Sequence, residues 1–232
     1  MKNPKQAVVR PLHEPLFEKL RHDAEILTLI EKSDVVLGAL GFTDHGRRHV
    51  TLVAVNASRL LAQLGHDAHA CDLAAVSGLL HDIGNVAGRH NHAAIGAALA
   101  YPLLTSRDVS ARDAAEIVAA IGNHDELELG MPVNAPGAAL IVADKADIHR
   151  SRVRTRDPNA FDAHDNVNHG VTKAELDVDG QAKVITLTLT TEPTISGAEI
   201  AELFESRLVL SDAAARFLGC SFAVRINGET LR

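Results

Sequence analysis

Apolar residues recur at helical spacing up to residue 156 and alternate beyond residue 169, so the pattern divides the chain in two. From His13 to Glu31 the positions Leu16, Phe17, Leu20, Ile26, Leu27 and Ile30 suit an amphipathic helix, followed by a shorter one capped by Ser33 and stopped by Gly41. Thr43 or Asp44 caps a longer helix to Leu64, with Leu52, Val53, Leu60 and Leu61 facing inward and Gly65 ending it. A core helix over Asp72 to Ile83 carries Leu73, Val76, Leu79 and Leu80, delivers His81 and Asp82, and stops at Gly84. A helix from His92 to Leu104 follows, with Asn91 as its cap. Another starts at Asp108 or Ser110 and carries Ala114, Ile117, Val118 and Ile121, and Pro136 opens a helix holding Leu140, Ile141 and Asp144.

After Arg156 the character changes. Residues 157–168 are polar and read as a linker. Val171 to Val178, an Asp179-Gly180 turn and Lys183 to Thr190 predict a β-hairpin with Ile185, Leu187 and Leu189 on one face. Helices over Ser196 to Leu208 and Ser211 to Phe217, the latter stopped by Gly219, and a strand over Phe222 to Ile226 complete the pattern. The expected architecture is mainly α: a helical bundle over residues 1–156, a linker over 157–168 and a small C-terminal α+β unit over 169–232.

Composition narrows the chemistry. The 232 residues are 46% hydrophobic and 23% charged, but only 3% aromatic with no Trp, so the core is aliphatic. A formal net charge of −7 argues against nucleic-acid polymers and anionic membranes as partners, and leaves room for a local basic pocket that holds a small phosphate ester. Met1 to Arg10 hold no apolar run suited to a signal peptide, and no stretch approaches the roughly 20 apolar residues of a membrane span, so a cytoplasmic location is expected. Cys71 and Cys220 lack CxxC spacing, which leaves His and carboxylate as the donors for any metal.

Thirteen histidines exceed what packing needs. A lone histidine beside an apolar face is usually a satisfied core or surface residue. Here His49, His81, Asp82, His92, His124 and Asp144 come from five predicted helices, each on or beside an apolar face, and buried Asp is rare unless paired or bound to a cation. Nitrogen and oxygen donors without thiolate suit Mn, Fe, Mg, Zn or Ni.

The ordered pattern His49, His81-Asp82, His124, Asp144 resembles the HD-domain superfamily of metal-dependent phosphohydrolases over residues 43–150. The segment from Asp44 to His49 is similar to the Asp-His-Gly-x-x-His opening of some phosphohydrolases. The resemblance implies an HD-type bundle in which His49, His81, Asp82 and Asp144 hold one divalent metal. His92 and His124 match the extra histidines of members that hold two, which implies a binuclear site bridged by Asp82. The chain departs from the cyclic-dinucleotide branch, which continues the pair as Ile-Gly-Lys with a later Gly-Tyr-Pro; here Ile83-Gly84-Asn85 follows. It also lacks the acidic pair that follows HD in the alarmone hydrolases.

Two such ions would hold a hydroxide and neutralise a phosphoryl group in flight, with Asp82 as ligand and hydrogen-bond partner of the attacking water. His90, Asp125 or Lys145 is the candidate general acid, although a lysine beside Asp144 on a helix is expected to point to solvent. Arg89, in the loop between two ligand-bearing helices, is the candidate phosphate anchor, ahead of the alternating Arg150, Arg152, Arg154 and Arg156, which suit a solvated face. Asp44 and His45 either cap their helix or orient His49. The expected function is hydrolysis of a nucleotide or other small phosphate ester; an HD-type diiron oxygenase and a non-catalytic sensing module with a structural metal are the alternatives. No motif attaches chemistry to residues 169–232, which close the site, support a homodimer or extend the core.

Overall fold

A computed structural model describes residues 15–155 and 157–231. The start of the first predicted helix at His13, the segment Met1 to Arg10, and Arg156 lie outside the described residues. The chain is mainly helical, with a small four-stranded sheet near its C-terminus.

Helices α1 (Leu16–Leu20) and α2 (Ala24–Ala39) open the bundle, and Asp23 caps the second by accepting from the Glu25 and Ile26 amides. The break thus falls at Asp23 and not at Ser33, which is buried mid-helix and donates to the Ile83 carbonyl at 2.9 Å. Helix α3 (Arg47–Gln63) is capped by Gly46 without a side-chain bond, so neither Thr43 nor Asp44 acts as its cap. Val53, Leu60 and Leu61 face inward; Leu52, expected beside them, is 37% exposed.

Helix α4 (Ala68–Leu80) ends at His81, before the predicted Gly84 stop, and a 3-10 turn over Ile83–Ala87 follows. Helix α5 (His92–Thr105) begins after Asn91, whose left-handed backbone marks the start without a side-chain bond. Helices α6 (Ala111–Gly122) and α7 (Ala135–Lys145) are capped by Ser110 and Asn134, and Pro136 sits in the first turn of α7.

Two glycines let the backbones come close. A Cβ on Gly78 would stand 2.7 Å from the Ala54 backbone, so its absence seats α4 directly on α3. A Cβ on Gly84 would collide with the His92 carbonyl and the Gly96 amide, so Gly84 serves the approach of α5 instead of ending α4.

The polar stretch 157–168 holds a 3-10 turn at Pro158–Ala160 and most of helix α8 (Ala163–Gly170), whose Val167 is buried. Strands β1 (Val171–Asp179) and β2 (Val184–Thr191) form the antiparallel hairpin. A crossover through α9 (Gly197–Leu203) and α10 (Glu205–Phe217) brings β3 (Ser221–Ile226) parallel to β2, and β4 (Glu229–Thr230) adds a short edge. The α9/α10 break is at Phe204, whose fully buried ring turns the chain; Ser211 is buried within α10 and does not open a helix. One apolar cluster contains Leu60 of α3, Leu140 of α7, Leu187 of β2, Phe204 and Val224 of β3, so the helical part and the sheet share a core. A second cluster fills the space among α1 to α6.

Candidate metal centre

Helix ends converge on one point. His49 lies in the first turn of α3, His81 and Asp82 follow α4, His92 opens α5, His124 follows α6, and Asp144 ends α7. All six are buried.

Local hydrogen bonding fixes which nitrogen each imidazole presents. At a helix C-terminus the last carbonyls have no helical partner, and His81 Nδ1 donates to Gly78 O at 2.9 Å while His124 Nδ1 donates to Ile121 O at 2.6 Å. His49 Nδ1 meets Asp147 Oδ2 at 2.7 Å, and His92 Nδ1 lies 3.2 Å from both Arg89 O and Glu128 Oε1. Carbonyls and carboxylates only accept, so Nδ1 carries the proton and Nε2 is left as a bare donor atom in each neutral ring.

Those four Nε2 atoms face one another in pairs, 3.3 Å apart for His49 and His81 and 3.3 Å apart for His92 and His124. Two lone pairs at that distance repel unless positive charge lies with them. Asp82 stands between the pairs. Its Oδ2 is 3.5 Å from His49 Nε2 and 3.1 Å from His81 Nε2, while its Oδ1 is 3.6 Å from His92 Nε2. Asp144 Oδ1 completes the first side at 3.3 Å from His49 Nε2 and 3.7 Å from His81 Nε2.

Asp82 Oδ2 is buried without a hydrogen-bond partner, a costly condition that a cation would relieve. Three overlapping donor groups result: His49, His81 and Asp82; His81, His124 and Asp144; and Asp82, His92 and His124. The electrostatics agree. Burial opposes charge on His81, but Asp82 and Asp144 more than offset it and carry its pKa up to about 10. Burial likewise opposes charge on the two carboxylates, yet His81 beside Asp82 and Lys145 beside Asp144 hold both well below the usual range. The cluster draws positive charge to where the Nε2 atoms meet, and its donors fit a divalent metal.

Around this core are supporting residues, of which the linear pattern did not single out Asp147. Asp147 accepts both arms of the Arg48 guanidinium at 3.2 and 2.7 Å besides orienting His49. Burial alone would raise its pKa, but Arg152, His49 and Arg48 hold it far below the carboxylate range. Its position three residues after Asp144 was a legible signal. Arg152, expected on a solvated face with its neighbours, is buried and donates to Asp44 O and Asp147 O at 3.1 Å each. His45 is buried with its ring edge-on to His49, centroids 5.3 Å apart.

Lys145 is not solvated as expected. Its Nζ lies 2.8 Å from Asp144 Oδ2 and 2.5 Å from Glu126 Oε2, and Glu126 in turn meets Arg207 of α10 at 3.3 Å. The reason is the setting of α7, buried on every side between α3 and α4 and the C-terminal α10. Arg89 reaches the cluster: Nη2 bonds Asp125 Oδ2 at 2.8 Å, and Nη1 lies 3.3 Å from His92 Nε2 and 3.9 Å from Asp82 Oδ1. Asp125 is buried in that pair, whereas His90 is exposed.

Residues 47–159 match the family model of the HD domain. A protein of Methanocaldococcus jannaschii described as uncharacterized is 26% identical over 161 residues, a match covering 60% of this chain and 61% of that relative's length. No helix among the described residues is long and apolar enough to cross a membrane.

Proposed function

We propose, from the match of residues 47–159 to the HD-domain family model, that the chain is a metal-dependent phosphohydrolase acting on a nucleotide or other small phosphate ester. One observation carries this reading. Four imidazoles are anchored through Nδ1, and three of them, His49, His81 and His92, turn their Nε2 atoms to the two oxygens of a single buried carboxylate, Asp82, while His124 Nε2 meets that of His92.

His49, His81, Asp82 and Asp144 would hold a first divalent ion, and Asp82, His92 and His124 a second. Such ions supply a hydroxide at neutral pH and neutralise phosphoryl charge during in-line attack. Asp82 turns one oxygen to each pair of histidines, so it would contribute a donor to both positions. Lys145 neutralises Asp144 Oδ2 and leaves Oδ1 to face the histidines. Its ammonium is engaged with Asp144 and Glu126, so it orients the ligand and is not the proton donor to a leaving group. Arg89, with a side chain 21% exposed, lies at the solvent edge of the cluster and offers its guanidinium to the phosphoryl oxygens.

The test is phosphate release from a panel of nucleotides, cyclic nucleotides and dinucleoside polyphosphates with Mn²⁺ or Fe²⁺, using Asp82→Ala as the blank. Release by the native chain is expected to fall about a thousandfold or more in the variant, the scale of several kcal/mol of metal-assisted stabilisation. Oxygen uptake by the iron-loaded protein without phosphate release would instead indicate the diiron oxygenase, and a folded, metal-loaded chain silent in both assays would indicate a sensing module.

A further inference from the structure

We infer that Arg89 competes with the second cation for its ligands, so that the His92/His124 position binds metal more weakly than the His49/His81 position and frees Arg89 when it fills. This rests on the two-ion reading above.

The geometry is specific to one side of the cluster. His92 Nδ1 is engaged by Arg89 O and Glu128, so its Nε2 is a bare lone pair, and the guanidinium Nη1 lies 3.3 Å from that atom. The same Nη1 is 3.9 Å from Asp82 Oδ1, the oxygen turned to the second position. A cation that takes Asp82 Oδ1 and His92 Nε2 therefore meets a like charge holding both. At the first position no guanidinium among the described residues touches Nε2: Arg48 and Arg152 stand behind Asp147, on the Nδ1 side of His49.

Arg89 is also placed to withdraw Nη1 from the cluster while Nη2 stays on the buried Asp125. Its side chain reaches the solvent edge, lies 5.9 Å over the half-exposed Phe42 ring, and is tied to Asp125 through Nη2 alone. Displaced from His92 and Asp82, its fork of N–H donors is available to a phosphoryl group at the same opening. Filling of the second position and binding of the anion are then coupled through one side chain, and the coupling is reciprocal.

The experiment is a calorimetric titration of the chelator-treated full chain with Mn²⁺, with free Mn²⁺ followed in parallel by electron paramagnetic resonance. The native chain is expected to take up two equivalents, the second more weakly. Arg89→Gln should tighten the second step by about tenfold or more, the scale on which neighbours of a metal site act on its affinity, and leave the first step unchanged. Arg89→Lys, which keeps the charge without the fork, should fall between the two. It carries the comparison alone if the glutamine chain does not show the first step. Two equivalents with a second step equal or weaker in the variants would overturn the competition and leave the two-ion reading intact. A single equivalent in the native chain would overturn both.

Discussion

The carboxylate that orients His49 is buried, whereas the one that orients His92 stands at the solvent edge. Asp147, which orients His49, has a side chain 1% exposed and is itself held by Arg48 and the buried Arg152. Glu128, which faces His92 Nδ1, is 22% exposed, and Arg89 beside it is 21% exposed. Both sides pair one carboxylate-oriented imidazole with one oriented by a helix-terminal carbonyl. Donor chemistry is thus alike, and what differs is the cost of disturbing what holds it. A buried network makes a ligand position inseparable from the stability of the fold, and an exposed one lets it be adjusted on its own.

The comparison breaks or holds most clearly at Asp147. Replacing it with Ala leaves Arg152 buried without its charge partner and His49 Nδ1 without its acceptor. The expected loss is about 3–5 kcal/mol in denaturant unfolding, the cost of removing one member of a buried pair. First-ion affinity should fall in parallel. If Asp147→Ala unfolds at the native midpoint, the interior support is not what sets the first position apart.

Glu128→Gln is the matching change on the other side. The amide still reaches His92 Nδ1 but without the carboxylate's negative charge, so second-ion affinity should drop about tenfold, with an unfolding midpoint close to native. A large loss of stability here would erase the distinction between the two sides.

The same contrast explains what was legible in the sequence. Each candidate ligand ends or opens a helix, so His49, His81, Asp82, His92, His124 and Asp144 interrupt a local pattern and together stand out along the chain. Their supports pair across the chain: Arg48 meets Asp147 over 99 positions, and Arg89 meets Asp125 over 36. No local period records such pairs. Lys145 was misplaced because a one-sided helix would expose it, and only the packing of α10 on α7 shows that α7 has no exposed side. Ser33 reads as a cap for a similar reason, since its partner, the Ile83 carbonyl, is 50 positions away.

Acid stability offers the smallest effect and a control that separates the centre from the rest of the fold. Asp23, remote in the chain from either half, caps α2 through the Glu25 and Ile26 amides and takes both arms of Arg107 at 2.8 Å. The Arg107 hydrogen bonds lower its pKa from 3.8 to about 2. A carboxyl with a depressed folded pKa stabilises the fold fully above its unfolded value and loses that contribution as protons bind, so Asp23 contributes above pH 3.8 and fades as pH falls toward 2. Asp23→Ala should cost about 1 kcal/mol at neutral pH, the usual worth of an N-cap, and should flatten the stability profile over that acid window. If the acid limb of Asp23→Ala instead matches that of the native chain while Asp147→Ala flattens it, acid sensitivity resides in the buried side of the metal centre. The first position would then be lost together with the fold as pH falls, and the second could empty while the fold persists.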